Sequence, residues 1–229
     1  MNSLYIGIGT AIIMAFLTAL VGPLFVDWSL WRGTFEAESS AIVGLPVRVL
    51  GDVDARLLPS PRIRFGDVVI GDLDHPTARI GRFELDLEAA PLLKGERRVS
   101  ELRLDRASLD LILDADGRLT GPRPVVVRDL AEVAIEAVRL VDGRVTILDR
   151  RSGRSGVATG IAAQGALASL AGPWRLEGAA EIGGRATTIR LTGVATGEGA
   201  SVRLGLGFPD DPALSVGFDT VMSAPEGRP

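Results

Sequence analysis

The sequence has no cysteine and a single histidine, His75, among its 229 residues. Without thiols the chain has no disulfides, no thiolate metal sites and no cysteine nucleophile. A catalytic triad or a histidine metal centre would have to be built on His75 alone. That residue lies in a polar stretch, residues 71–76, which is typical of a turn.

The chain also lacks an excess of basic charge. It carries 25 basic and 29 acidic residues, for a formal net charge of −4. The basic residues are spread along the sequence and form no cluster that would neutralise a phosphate backbone. We therefore expect no nucleic-acid partner.

Two patterns that could carry chemistry are incomplete. Asp114 and Asp116 resemble the start of a calcium-binding loop, but the later ligands and the terminal Glu are absent, so a hairpin turn explains them better. Ser152 and Ser155 form no nucleophile elbow, and no second histidine exists to activate a serine. We expect no catalytic residue, no metal and no cofactor, and we predict that the protein is not an enzyme.

One long apolar run is present at the N-terminus. Residues 4–26 contain no charged side chain and are long enough for a helix to cross a bilayer. Residues 1–3 carry no charged side chain, unlike the basic start of a cleaved signal peptide. We predict a single-pass membrane anchor over residues 1–27. Gly7, Ala11, Ala15 and Ala19 form a small-residue stripe on which another transmembrane helix could pack, although such residues are common in spanning helices.

A second helical pattern follows the anchor. Trp28, Trp31, Phe35 and Ile42 recur at helical spacing within residues 28–43. One interpretation is an amphipathic helix at the membrane interface, with Trp28, Trp31 and Phe35 at headgroup level. The other is an ordinary helix packed on the following domain. The sequence leaves both open.

Beyond Gly44 the pattern changes to strict alternation of apolar and polar residues, which indicates half-buried strands. The clearest examples are residues 47–57, 83–87, 109–113, 174–182, 189–191, 202–208 and 214–218. We predict a mainly β domain over residues 44–222, followed by a tail or linker over residues 223–229. The carboxylates of Glu84, Asp86 and Glu88 share one face, which we assign to solvent.

A weak internal repeat supports one continuous sheet. Residues 99–104 and 109–112 align with residues 135–140 and 145–148, an offset of 36 positions. We therefore predict a strand over residues 133–141, although Leu130, Val133, Ala134 and Ala137 would also suit a helix.

The apolar faces of these strands need a cover, and no long helix follows residue 44 to supply one. A second layer of the sheet could cover them, giving a sandwich or barrel. Alternatively, acyl chains could fill an open groove. At about 0.8 kcal/mol per CH₂, exposing a tail of about 16 carbons to water costs about 13 kcal/mol, most of which such a groove would remove. The predicted groove lining comprises Val49, Val53, Phe83, Leu85, Leu87, Leu109, Leu111 and Leu113.

Several short motifs, in order, resemble the N-terminal part of AsmA-like proteins. They are Asp27-Trp28, Gly44-Leu45-Pro46-Val47, Leu58-Pro59-Ser60-Pro61, Pro91-Leu92-Leu93-Lys94-Gly95, Asp116-Gly117-Arg118, Asp142-Gly143-Arg144-Val145 and Leu170-Ala171-Gly172-Pro173-Trp174. The resemblance runs to about residue 195. Because AsmA-like proteins are usually several times longer, we expect a fragment or a truncated member.

The resemblance implies an anchor in the bacterial inner membrane, with the body in the periplasm. It also implies a curved antiparallel β-sheet that forms an open, U-shaped groove. Such a groove would carry phospholipid towards the outer membrane or support envelope assembly. From the strands themselves, a different function also follows: a structural factor that docks envelope proteins by adding a strand to the sheet edge.

Overall fold

The computed structural model describes residues 32–56, 60–93, 98–116, 119–120, 133–169, 172–196 and 199–223, and six helical residues near the N-terminus, 5, 8, 10, 13, 14 and 18. Most of the predicted anchor, and both Trp28 and Trp31, lie outside these residues. Within the described part, no helix combines the length and the apolar character that crossing a bilayer requires. The anchor therefore stays a prediction.

From residue 32 onwards, the described chain consists of twelve strands, with one helix before the first strand and a shorter helix between the fourth and the fifth. The helices are α1 (Arg32–Val43) and α2 (Ala89–Leu93). The strands are β1 (Val47–Val49), β2 (Val53–Arg56), β3 (Arg62–Gly71), β4 (Pro76–Leu87), β5 (Arg98–Leu113), β6 (Leu119–Thr120), β7 (Ala134–Asp149), β8 (Ser155–Leu167), β9 (Trp174–Ile182), β10 (Arg185–Thr196), β11 (Gly199–Phe208) and β12 (Asp211–Ser223).

All twelve strands belong to one sheet. Its order is β1-β3-β4-β5-β7-β8-β9-β10-β11-β12, while β2 pairs with β3 and β6 pairs with β5. The two ends of this order do not pair with each other in the described structure, so the sheet is curved but open. The prediction of a mainly β, open sheet is confirmed.

One pair of strands departs from the predicted antiparallel arrangement. β5 and β7 run parallel, and their register places Val99 opposite Ile135 and Leu109 opposite Val145. Both pairs are offset by 36 positions, which is the offset of the sequence repeat. A parallel pair needs a connection of a dozen or more residues, and 20 residues, 114–133, separate the end of β5 from the start of β7 in the sequence. The strand predicted over residues 133–141 is confirmed as the first half of β7.

Two clusters of buried hydrophobic residues lie on the sheet. The α1 cluster contains Val47, Val49, Phe65 and Val68. The central cluster contains Val99, Ile135 and Val138, with Leu85, Leu87 and Leu102 packed against it.

Helix α1 covers the edge of the sheet at β1. Arg32 Nη2 donates to Gly51 O at 2.9 Å, Glu36 Oε1 accepts from Val49 N at 2.8 Å, and Ser40 Oγ accepts from Val47 N at 2.8 Å. Side chains at every fourth helical position thus meet backbone groups at every second strand position. The match is physical: four helical residues rise about 6.0 Å and two strand residues rise about 6.6 Å.

The apolar side of α1 faces the sheet. The ring of Phe35 stacks on Phe65 with a centroid distance of 3.7 Å and lies 5.8 Å from the ring of Phe83. For Phe35, the structure thus shows the second arrangement that the sequence left open, a helix packed on the domain. The interfacial position of Trp28 and Trp31 stays untested.

Candidate functional site: the apolar face of the sheet

The predicted lining residues fall into three groups: one in the α1 cluster, one beside the central cluster, and one along the second half of β5. Val49, Val53 and Phe83 belong to or pack against the α1 cluster. Leu85 and Leu87 pack against the central cluster. The remaining predicted residues, Leu109, Leu111 and Leu113, alternate along the second half of β5 and are half-buried.

Register connects these groups across neighbouring strands. Leu102 of β5 lies opposite Leu85 of β4, and Leu109 lies opposite Ala78. On the other side of β5, Leu111 lies opposite Ile147 of β7. Because residues that face each other in a ladder point to the same side of a sheet, apolar side chains continue from β4 to β7 on one surface. We call this surface the apolar face.

The apolar face is covered at one end and open further along. Helix α1 lies over its β1–β4 end, where Phe35 contacts Phe65 and Phe83. Beyond that end, large apolar side chains of β9–β11 remain half-exposed to solvent; they include Leu176, Ile189, Leu191, Leu204 and Leu206. Among the described hydrophobic residues of β9–β12, just Ala180 and Val202 are buried. A solvent-accessible apolar surface therefore extends along the C-terminal half of the sheet.

The opposite face of β2–β5 carries charges in paired rows. Arg62 donates to Asp86 through Nε and Nη2, both at 2.6 Å, and its Nη1 lies 2.7 Å from Glu84 Oε1. Arg64 Nε lies 3.2 Å from Glu84 Oε2. The hydrogen bond to Asp86 raises the pKa of Arg62, against the smaller lowering by desolvation. Glu84 and Asp86 thus lie on a polar face, but their side chains are only 12% and 14% exposed because arginines cover them, so they are less solvated than the sequence predicted.

A row of unusual backbone conformations crosses the sheet. Asp67 in β3, Arg106 in β5 and Asp142 in β7 have φ of 48°, 51° and 54°, in the left-handed region that non-glycine residues rarely adopt. By register, Gly81 of β4 lies between Asp67 and Arg106, and Asp142 lies beside Arg106. Gly160 of β8, with φ 57°, lies next to Ile161, the partner of Gly143, and continues the row with a shift of about two positions. We call these five residues the crease row.

Ion pairs lie at and beside the crease row on the charged face. Arg79 forms a two-point ion pair with Asp67, with Nε to Oδ1 at 2.7 Å and Nη2 to Oδ2 at 3.0 Å. This hydrogen bond lowers the pKa of Asp67, outweighing desolvation. Next to Arg106, the buried Asp105 accepts from Arg103 Nε at 2.8 Å and lies 3.7 Å from Arg82 Nη1. The hydrogen bond to Asp105 raises the pKa of Arg103.

Sequence reasoning missed two features of this site. The first is the crease row. The sequence carries a signal for it, because the apolar residues on either side of the row, such as Phe65 and Val68, are three positions apart. A strand with simple alternation has no such step. The second is the capping of β1 by Glu36 and Ser40, for which the sequence carries no recognisable signal.

Candidate chemistry elsewhere matches the turn interpretations. His75 is exposed in the turn between β3 and β4. Asp114 Oδ1 accepts from Asp116 N at 2.9 Å, which closes a turn of the Asx type. Ser152 Oγ donates to Asp149 Oδ2 at 2.6 Å in the β7–β8 turn. Over the part of the chain that the structure describes, no group of three or more His, Cys, Asp or Glu is placed to hold a metal ion.

Comparison with known proteins identifies the family. The model of the AsmA family matches residues 3–159, which is more than half of the chain. The chain belongs to the AsmA family. This confirms the resemblance seen in the sequence motifs. No curated protein matches the chain. The AsmA match covers β1–β7 and the start of β8, so the strands that follow extend the same sheet beyond the matched region.

Proposed function

We propose that this AsmA protein binds phospholipid and shelters its acyl chains on the apolar face of the sheet. The observation that carries the proposal is an amphipathic, open sheet, with ion pairs on one face and half-exposed leucines on the other. Exposing a tail of about 16 carbons to water costs about 13 kcal/mol, and contact with an apolar surface of this kind would offset most of that cost.

The proposed setting is the bacterial inner membrane, with residues 4–26 as a single-pass anchor and the sheet in the periplasm. Family membership supports an envelope-biogenesis or lipid-transport context. The uncharged run of residues 4–26 supports the anchor. The proposed partners are the bilayer, phospholipid and, through the small-residue stripe, another transmembrane helix.

Mass spectrometry of the detergent-extracted full chain tests lipid binding. We expect stoichiometric phospholipid with the wild-type protein and its loss in Leu111→Glu, because a buried carboxylate beside a tail is costly. Leu111 is the sharper position, since Leu85 also packs against the central cluster, where a glutamate would weaken the fold. Ser108→Glu adds the same charge to the same strand at a position of opposite alternation and should keep the lipid.

Two results would contradict the proposal. One is a wild-type protein that carries no lipid after mild extraction from membranes. The other is equal lipid loss in Leu111→Glu and Ser108→Glu when circular dichroism shows both variants folded. Either result would mean that the apolar face does not hold acyl chains.

The alternative, docking of an envelope protein by strand addition, meets an obstacle at one edge. Strand addition needs free backbone donors and acceptors. At β1, Glu36 and Ser40 already accept from the backbone N–H groups of Val49 and Val47. The β1 edge is therefore closed to an added strand, and we keep lipid binding as the first proposal.

A further inference from the structure

The crease row coincides with a change in side-chain alternation. In an uninterrupted strand, residues three positions apart point to opposite faces. In β3, however, Phe65 and Val68 are both buried in the α1 cluster, and in β4 both Ile80 and Phe83 pack against it. Asp67 and Gly81 lie between the members of these pairs. The row thus returns each strand's apolar residues to the same face.

The same change continues into β5. Leu104 lies opposite Phe83, and Ala107 lies opposite Ile80. Because Phe83 and Ile80 share the apolar face, Leu104 and Ala107 share it as well. Arg106 lies between Leu104 and Ala107 and has φ 51°. The leucines that alternate from Ala107 onwards, Leu109, Leu111 and Leu113, depend on this conformation to reach the apolar face.

We propose that the left-handed residues Asp67, Arg106 and Asp142 are positioning residues of the lipid surface. Together they direct the apolar side chains on both sides of the crease row, in β3, β5 and β7, to the same face of the sheet. The claim that lipid lies on this face rests on the proposed function. The claim that the three residues set the direction of the side chains does not depend on any ligand. Arg106 carries the sharpest test, because Asp is better tolerated than Arg at positive φ.

The side chain of Arg106 lies against Gly81 of the neighbouring strand. A Cβ added to Gly81 would lie 3.0 Å from Arg106 Nε and 3.1 Å from its Nη2. The Arg106 side chain therefore lies across Gly81, where any larger residue would displace it. Glycine at position 81 is thus part of the same arrangement.

Cysteine pairs can report the register on each side of the row, since the chain has no cysteine of its own. The first pair, Ala78→Cys with Leu109→Cys, lies beyond the row, and the second, Leu85→Cys with Leu102→Cys, lies before it. Each pair consists of directly opposed residues, whose Cβ atoms are close enough to crosslink on oxidation. Arg106→Val or Arg106→Gly is then added to both pairs in the detergent-solubilised full chain.

We expect Arg106→Gly to leave both crosslinks unchanged, because glycine adopts positive φ freely. Valine disfavours this conformation strongly. In Arg106→Val we therefore expect crosslinking of the pair beyond the row to fall about tenfold relative to the pair before it. Should this variant not fold, Arg106→Ala provides the same comparison with a less bulky side chain.

The proposal is overturned if Arg106→Val keeps both crosslinks at wild-type rates, since the left-handed residue would then position nothing. It is also overturned if Arg106→Ala loses both pairs equally, because the residue would then serve the whole fold and not the relation between its halves. Crosslinking requires no lipid, so a failed lipid assay would count against the proposed function and leave this result in place.

Discussion

Ser40 provides the most direct measure of how α1 holds the sheet edge. Val47 is 1% exposed, and its N–H donates to Ser40 Oγ at 2.8 Å. Ser40→Ala removes that acceptor from a site that water does not reach. A buried donor left without a partner costs about 1–3 kcal/mol, while alanine returns a few tenths of a kcal/mol in helix propensity. We expect a net destabilisation of about 1–2 kcal/mol.

Ser39→Ala is the matched control for this prediction. It makes the same chemical change one position earlier in α1, where Ser39 is half-buried. It gains the same helix propensity and removes no acceptor from Val47. The difference between the two variants therefore isolates the contact with the sheet edge.

Urea unfolding of the full chain in detergent, followed by circular dichroism, measures the difference. The midpoint should fall for Ser40→Ala while the slope stays constant. In a thermal scan, each kcal/mol corresponds to a fall of about 2–4 °C in Tm for a chain of this size. Equal stability of the two variants, within about 0.5 kcal/mol, would show that Ser40 does not satisfy the Val47 N–H.

Two further predictions concern the same end of the sheet. Phe35→Ala should destabilise the fold by about 1.5–3 kcal/mol. This is less than the roughly 3–5 kcal/mol lost when a fully buried Phe is truncated, because the ring of Phe35 is half-exposed. A double-mutant cycle with Phe65→Ala should show a coupling energy of about 0.5–1.5 kcal/mol, and additive effects of the two substitutions would contradict the stacking. The third prediction concerns pH, because the ion pair with Arg79 lowers the pKa of Asp67 in the folded state below its ordinary value of 3.8. The pair therefore contributes its full stabilisation at pH values above 3.8. That contribution is lost as the pH falls through the folded-state pKa. Asp67→Asn, which tolerates positive φ, should therefore be less stable than wild type by about 1 kcal/mol or less at pH 7, and the difference should shrink as the pH falls below 3.8. A difference that does not change with pH would refute the assignment.

The strands and their register were predictable where local chemistry decides them. Alternation identified most strands, since a half-buried strand buries every second side chain. The 36-residue repeat anticipated more than a strand: it equals the register offset of β5 and β7, as in the pair Val99 and Ile135. The direction of that pair was not predictable, because a repeat fits parallel and antiparallel neighbours equally well.

The contacts of α1 could not be predicted from its sequence. Helical spacing places Phe35 on an apolar stripe, but a stripe fits a membrane surface and a protein surface equally. The choice depends on the partner, here the ring of Phe65, about 30 positions later in the chain. The place of the crease row is marked in the sequence by the three-residue step between apolar residues, but the left-handed backbone of Arg106 is not, because arginine rarely adopts positive φ.

The position of α1 limits where the apolar face is available. The helix meets the sheet through two sets of side chains at once: Phe35 packs on the apolar face, while Glu36 and Ser40 bind the backbone of β1. These two contacts fix the helix over the corner where the edge and the apolar face meet. The face under α1 is thus filled by protein, and its solvent-accessible part begins beyond Phe83. A bound acyl chain would therefore lie towards β5–β12, where leucines are half-exposed and, among the described residues, no helix covers them.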